Sequence, residues 1–192
     1  MELIFATSNK DKLKEVKKML ANDKIKMPED IGINNFDVIE DGKSLKENAY
    51  KKAKTLYDKV GKPTFADDTG LFVEALDGQP GIYSHRYAGE NASYLDNRIK
   101  LLKELLDKES RKAYFKTVIA YIDSKGKEKY FEGILEGKIS KEDRGCGEFG
   151  YDKIFLVKGI DKTLAELTID EKNKISHRSI AMMKFKEYLD LL

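Results

Sequence analysis

The first twenty residues show an apolar run, a polar break and then a periodic apolar pattern. Residues 3–6 are apolar and are followed by the polar residues 7–9, which is typical of a buried strand that ends in a loop. Over residues 11–20 the apolar positions recur every three or four residues, which predicts a helix with Ser8 or Asn9 as its N-cap. The free amides of this helix are therefore expected at the carboxyl end of the strand, where such amides bind anions.

Three lysines, Lys10, Lys12 and Lys14, lie in the first turns of this predicted helix. A helix N-terminus favours acidic side chains, so lysines at this end indicate a functional role such as phosphate binding. The alternative is a solvent-exposed helix face that is rich in lysine. The loop contains no glycine run, so the segment does not match the P-loop pattern.

A second strand pattern runs through Thr64–Phe72, where two adjacent carboxylates, Asp67 and Asp68, stand between apolar residues. A buried strand holds carboxylates only when they are paired, hydrogen-bonded or bound to metal. Successive side chains of a strand point to opposite faces, so we expect one acid to face a site and the other a structural partner. The alternative is that Asp-Asp-Thr-Gly forms a polar turn between two strands.

The remaining pattern predicts further helices and strands. They are a strand at Phe36–Ile39, a helix that follows a Ser44–Glu47 capping box and ends at Gly61, a helix over 92–107 with Leu95, Ile99, Leu102 and Leu106 on one apolar face, a hairpin of strands 113–122 and 130–139, a strand at 154–157, a capping box at Thr168 and Glu171, and a terminal helix capped by Ser176. Because strands alternate with helices and no linker or repeat interrupts them, we expect one layered α/β domain over 1–192 with a long mixed twisted sheet.

Composition narrows the choice of partners. The chain has 41% apolar residues, as in a globular protein. It has 36 Lys and Arg against 34 Asp and Glu, and its formal net charge of +2 is too small to attract nucleic acid in general. Phosphate binding must therefore come from local lysines. The single cysteine, Cys146, excludes an intramolecular disulfide and suits a reducing cytosol. No apolar run approaches the length of a membrane span.

Six ordered segments carry a family resemblance. They are Thr7-Ser8-Asn9-x-x-Lys12, Glu47-Asn48-Ala49-x-x-Lys52-Ala53, Asp67-Asp68-Thr69-Gly70, Pro80-Gly81-Ile82-Tyr83-Ser84, Phe149-Gly150-Tyr151-Asp152, and Lys172 with Ser176-His177-Arg178. Over essentially the whole chain they resemble the inosine triphosphate pyrophosphatase family, whose members hydrolyse non-standard purine nucleoside triphosphates. Ser8 stands where the family often has glycine.

The resemblance implies a homodimeric cytoplasmic enzyme with two lobes around a central cleft. It would cut ITP, dITP and XTP between the α and β phosphates, with Mg²⁺ required, to give the monophosphate and pyrophosphate. Asp68 is the implied proton acceptor for the attacking water, and Glu40 and Asp68 are the implied metal ligands. The implied substrate-binding residues are Thr7, Ser8, Asn9, Lys12, Lys52, Thr69, Phe149, Gly150, Tyr151, Asp152, Lys172, His177 and Arg178.

The purine end of this expectation has a chemical basis. Hypoxanthine and xanthine carry a 6-oxo acceptor where adenine has an amino donor, so a hydrogen bond from His177 or Arg178 would disfavour adenine. Phe149 is the natural ring to stack on the base. The other histidine, His85, is expected at the surface or at an interface.

Two alternatives stay open from the sequence. One is the related pyrimidine-preferring pyrophosphatase type, which shares the fold and the N-terminal phosphate loop but lacks the Ser-His-Arg segment. The other is a non-catalytic nucleotide- or RNA-binding module, which the balanced charge disfavours.

Overall fold

The computed structural model describes residues 1–21 and 23–192, and its architecture is the predicted layered α/β arrangement. The described helices are α1 (Lys10–Met19), α2 (Leu45–Val60), α3 (Tyr94–Glu104), α4 (Ile169–Ile175) and α5 (His177–Leu189). The described strands are β1 (Glu2–Phe5), β2 (Lys24–Lys26), β3 (Thr64–Val73), β4 (Pro80–Gly81), β5 (Lys112–Ile122), β6 (Glu128–Ile139) and β7 (Phe155–Val157).

The strands form a mixed sheet in the order β2-β1-β3-β5-β6-β7, and β4 pairs with β3 outside this path. Strand β1 is parallel to both of its neighbours, with Leu3 opposite Ile25 and Ile4 opposite Thr64. The pairs β3–β4 and β6–β7 are antiparallel. Parallel pairs joined by helices together with antiparallel pairs are what the alternation of elements predicts, so the expected mixed sheet is confirmed.

Strand β3 is continuous from Thr64 to Val73 and carries Asp67 and Asp68 in its interior. The alternative of a polar turn between two strands is therefore wrong. Both carboxylates are buried, Asp67 at 2% and Asp68 at 6% exposure. Since the strand is unbroken, the two side chains must find different partners on its two faces.

The predicted N-caps of α1 and α2 are present. Asn9 caps α1, because its side-chain oxygen accepts a hydrogen bond from the Lys12 amide at 3.2 Å. Ser44 caps α2 by accepting from the Glu47 amide at 3.2 Å, and the helix ends at Gly61 in the left-handed region with φ of 60°. These local signals are reliable because a cap satisfies amides that the helix itself leaves open.

The predicted strand at Phe36–Ile39 is wrong, since these residues lie in a loop and Ile39 is 77% exposed. The second strand along the chain is instead β2. Its sequence shows no apolar run, because lysines flank its one buried residue, Ile25. Pairing with β1 stabilises this short strand, whereas the local apolar pattern favoured the loop residues.

The predicted apolar face of α3 is only partly buried, since Leu102 packs against the core of the second unit and the other three predicted residues do not. Leu101 and Leu105 lie in the core, while Leu95, Ile99 and Leu106 are exposed at 49%, 55% and 76%. The buried side also carries two polar side chains, Asn97 and Arg98. Periodicity therefore identified the helix correctly and its orientation only in part.

The chain divides into two compact units. The first contains Met1–Asp68, Thr117–Gly133 and Arg178–Leu192, and its core includes the stacked rings of Phe5 and Phe65. The second contains Thr69–Lys116 and Ile134–His177, and its core includes Phe115 and Phe155. The single domain and the central cleft expected from the sequence stay predictions. No helix among the described residues is long and apolar enough to cross a membrane.

Candidate active site

Asp67 is an internal ion-pair partner in the first unit. Its carboxylate accepts a hydrogen bond from Nζ of Lys12 at 3.1 Å and another from Nε of Arg178 at 3.2 Å. Burial alone would raise the pKa of Asp67, but the charges of Lys12 and Arg178 outweigh it and hold the pKa well below its usual range. Of the two adjacent acids, Asp67 is therefore the one that faces a structural partner, as expected for one of two successive residues in a strand.

Arg178 is fully enclosed and bridges two acids. Besides Asp67, its Nη1 donates to Oε2 of Glu15 at 2.6 Å. Burial opposes the charge, while Asp67 and Glu15 raise the pKa of Arg178 above its usual value, so it stays protonated. These contacts tie β3 and α1 to the first residues of α5.

Asp68 has a different environment from its neighbour. Its Oδ1 accepts from Nζ of Lys52 at 3.1 Å, and the same ammonium donates to Oε1 of Glu40 at 2.7 Å. Its Oδ2 is buried and accepts no hydrogen bond within the part of the chain that the structure describes. Burial raises the pKa of Asp68, Lys52 lowers it and Glu40 raises it, and the net direction is upward.

The loop before α1 presents backbone amides beside Lys12. Thr7 Oγ1 accepts from the Asn9 amide at 3.1 Å, and Asn9 in turn caps the helix. Ser8 is exposed at the turn. The loop is thus ordered by its own side chains, and anion binding at the start of α1 stays a prediction.

Glu40 and Asp68 fit a hard divalent ion that keeps some of its own ligands. Both accept from the ammonium of Lys52, so their oxygens lie close together, and Asp68 Oδ2 is a buried carboxylate oxygen with an unused lone pair. Among residues 1–21 and 23–192, three or more acidic, His or Cys side chains do not form a metal-binding group. Mg²⁺ is usually held by only one or two carboxylates, because water and substrate phosphates complete its coordination. The pair Glu40 and Asp68 matches this requirement.

In the second unit, Phe149 and Asp152 share one lysine. Lys172 donates from Nζ to Oδ2 of Asp152 at 2.7 Å, and its ammonium lies 5.0 Å from the centre of the Phe149 ring. Asp152 is 7% exposed, so its charge requires this partner. The cation–π contact restrains the ring of Phe149.

His177 and Tyr151 are also buried in the second unit. The imidazole of His177 stacks on the ring of Phe115 with centroids 4.5 Å apart and an interplanar angle of 18°. The hydroxyl of Tyr151 donates to the backbone carbonyl of Ser84 at 2.8 Å, and burial raises the pKa of Tyr151. Both side chains are therefore fixed by packing.

The structure distributes the predicted site residues over the two units. Thr7, Ser8, Asn9, Lys12, Glu40, Lys52, Asp68 and Arg178 belong to the first unit, and Thr69, Phe149, Gly150, Tyr151, Asp152, Lys172 and His177 belong to the second. Arg178 contacts acids of the first unit, so its predicted contact with the base stays a prediction, as do the other assigned roles.

Several residues that hold these groups in place carry no signal in the sequence. Glu15 lies in the lysine-rich stretch of α1 and has no local signal for pairing with Arg178, 163 positions away. Phe115 was interpreted only as a strand residue, although it supports His177. Arg98 was missed because a polar residue in an amphipathic helix is expected to face solvent.

The fold is a mixed α/β arrangement, and charged side chains of the first unit are grouped around Asp67 and Asp68. Residues 3–188 match the model of the Ham1 family. The dITP/XTP pyrophosphatase of Thermoanaerobacter pseudethanolicus is 51% identical over 193 residues, covering 98% of this chain and 96% of that protein. The dITP/XTP pyrophosphatase of Bacillus licheniformis is 46% identical, covering 98% of each.

Solved structures agree with this relationship. A HAM1 protein from Coxiella burnetii matches with a TM-score of 0.92 and 36% identity over 100% of both chains. The Ham1 protein of Staphylococcus aureus matches with a TM-score of 0.90 and 38% identity, covering 99% of this chain and 98% of that one. The chain belongs to the Ham1 family, which confirms the resemblance found in the sequence.

Proposed function

We propose that this protein is a pyrophosphatase that hydrolyses dITP, XTP and ITP to the monophosphate and pyrophosphate. The family membership and the names of the relatives support this assignment. The single observation that carries it is Asp68, a buried carboxylate of raised pKa whose Oδ2 accepts no hydrogen bond in the described chain, next to Lys52 and Glu40. Perturbed, buried acids beside cations are typical of catalytic sites.

The triphosphate is assigned to the first unit. Lys12 and Lys52 supply positive charge, and backbone amides at the start of α1 would supply hydrogen-bond donors. Glu40 and Asp68 would hold Mg²⁺, which supplies neutralisation of phosphate charge and a lower pKa for bound water.

Asp68 is assigned the proton transfer. The oxygen of a water molecule attacks the α-phosphorus, the bond from this phosphorus to the bridging oxygen breaks, and pyrophosphate leaves with the electron pair. The proton of the water passes to the carboxylate of Asp68. A raised pKa makes this carboxylate a stronger base than an ordinary aspartate, provided that it is ionised at the working pH.

The nucleoside is assigned to residues of the second unit. Phe149 would stack on the base, while Thr69, Gly150 and Tyr151 surround the nucleoside. Lys172 holds Asp152, and His177 is oriented by Phe115. A donor from His177 or Arg178 to the 6-oxo group would select hypoxanthine and xanthine over adenine.

The direct test is pyrophosphate release from dITP, XTP, ITP, GTP, ATP and dTTP, with Mg²⁺ and with EDTA. We expect fast release from the first three substrates, and none in EDTA. Equal turnover of dTTP would favour the pyrimidine-preferring type. Tight nucleotide binding without turnover of any substrate would favour a binding module.

We also propose a cytoplasmic homodimer. The support for a dimer is an exposed apolar stripe, formed by Leu95 and Ile99 on α3 and by Leu106 just after this helix. Contiguous exposed apolar residues on one helix face are typical of an interface. The cytoplasm is where nucleoside triphosphates occur and where Cys146 would stay reduced.

A further inference from the structure

Arg98, on the buried side of α3, contacts one loop of the second unit at three places. The residue is 1% exposed. Its Nε and Nη2 donate to the carboxylate of Asp143 at 3.0 to 3.2 Å, and Nη2 also donates to Glu148 at 2.9 Å. Its Nη1 donates to the backbone carbonyl of Gly150 at 3.1 Å. All three partners lie in residues 143–152, called here the glycine-rich loop.

The glycine-rich loop needs such support. It lies between β6 and β7 outside any helix or strand. Gly145, Gly147 and Gly150 all have positive φ, at 87°, 87° and 54°. Glycine loses more backbone entropy on ordering than any other residue, so a loop with three of them is costly to hold in one conformation.

A second residue of α3 acts on the same loop. Tyr94 lies one helical turn before Arg98, and such positions share a helix face. Its ring is 5.7 Å from that of Phe149, at an interplanar angle of 59°. Tyr94 thus contacts the ring assigned to the base, and Arg98 binds the carbonyl of the next residue.

We propose that Arg98 is a positioning residue that holds the glycine-rich loop in the conformation that binds the purine nucleoside. It acts through the loop residues and touches neither substrate nor reacting atoms. The inference rests on the proposed function, because it concerns the binding of the nucleoside. Its consequence is that Arg98 sets the KM for purine triphosphates and leaves the chemical step unchanged.

The guanidinium of Arg98 fits a positioning role better than a role in packing the hydrophobic core. Burial opposes the charge of Arg98, while the hydrogen bonds to Asp143 and Glu148 raise its pKa. A planar guanidinium can bind one carboxylate with two nitrogens and still donate to a carbonyl. A lysine at this position has a single nitrogen and cannot reach all three places with the same geometry.

The test compares Arg98→Leu and Arg98→Lys with Arg111→Leu. Arg111 is a matched control in the same unit, since its guanidinium donates to the carbonyls of Leu105, Ile139 and Ser140 and not to the glycine-rich loop. Three quantities are measured in each purified protein: kcat and KM for XTP, the inhibition constant of inorganic tripolyphosphate, and hydrogen exchange at the amides of residues 147–152.

If Arg98→Leu lowers the population of the competent loop to about one tenth, KM rises about tenfold. The kcat is expected to change less than twofold, and so is the inhibition constant of tripolyphosphate, which lacks a nucleoside. Exchange of the loop amides should accelerate about tenfold. Arg98→Lys should raise KM in the same direction, and Arg111→Leu should leave KM and loop exchange unchanged.

The inference is overturned if Arg98→Leu keeps both the wild-type KM and the wild-type loop exchange, or if Arg111→Leu raises KM equally. Should Arg98→Leu fail to fold, Arg98→Lys is judged by the same criteria. Failure of the proposed function is seen separately, since then the wild-type protein itself does not hydrolyse XTP or dITP. Loop exchange in the unliganded protein still reports whether Arg98 orders the loop.

Discussion

At the scale of single residues, two adjacent aspartates have opposite properties. Asp67 is bound by Lys12 and Arg178, which lower its pKa, while burial raises the pKa of Asp68. The sequence predicted that the two acids cannot share one role, because strand geometry alone requires it. It could not tell which acid has which role, because Arg178 approaches Asp67 from 111 positions away.

Substitution by asparagine should separate these two roles. Asp67→Asn removes the buried carboxylate that Lys12 and Arg178 share, so that Arg178 keeps its ion pair with Glu15, and should cost about 3 kcal/mol of unfolding free energy. Asp68→Asn removes a carboxylate that burial disfavours, so unfolding free energy should not fall, while kcat should drop about 100-fold or more. Thermal unfolding and pyrophosphate release measure the two effects. Equal loss of stability in both variants would contradict the assignment.

At the scale of elements, the sequence predicts those features that depend on local capping and turn residues. It does not predict those that depend on tertiary packing. The caps of α1 and α2 and the hairpin β5–β6 follow from turn and cap chemistry. Strand β2 and the buried side of α3 could not be predicted, because pairing with β1 and the ionic contacts of Arg98 override the apolar pattern.

The cap of α1 should serve both stability and phosphate binding. Asn9→Ala removes the cap of α1, and Ser44→Ala removes that of α2, so each should cost about 1 kcal/mol of unfolding free energy. Only Asn9 also belongs to the phosphate loop. Asn9→Ala should therefore weaken inhibition by tripolyphosphate several-fold, whereas Ser44→Ala should not. A similar loss of inhibition in both variants would refute a specific role for this loop.

The exposed stripe of α3 should hold the dimer together. Ile99→Glu places a charge among apolar neighbours and should convert the dimer to a monomer, as measured by light scattering after size-exclusion chromatography. Ile169→Glu is the control, because Ile169 is an isoleucine of similar exposure on α4. A wild-type protein that is already monomeric at micromolar concentration would argue against the proposal.

At the scale of the whole molecule, the family was evident from six ordered motifs, and the match over residues 3–188 confirms it. Motifs of this kind identify the groups that contact a ligand because the chemistry fixes the residue type. They do not identify supporting residues such as Glu15, Arg98 and Phe115, whose identity depends on distant partners.

The positive charge of Lys52 should contribute to the binding of phosphate. Lys52→Met removes the ammonium between Glu40 and Asp68, and should raise the inhibition constant of tripolyphosphate about tenfold. Phe149→Leu should raise the KM for XTP and leave that constant unchanged. Parallel inhibition and steady-state assays check both expectations. If the inhibition constant of tripolyphosphate is unchanged in Lys52→Met, Lys52 does not bind phosphate.

The central claim is that this chain cuts non-standard purine nucleoside triphosphates between the α and β phosphates. The most direct measurement is kcat/KM for XTP and for ATP in ¹⁸O-labelled water with Mg²⁺, with mass analysis of both products. We expect XMP that carries one ¹⁸O, unlabelled pyrophosphate, and a preference for XTP over ATP of about 100-fold or more. Release of orthophosphate, label in the pyrophosphate, or equal values for XTP and ATP would contradict it.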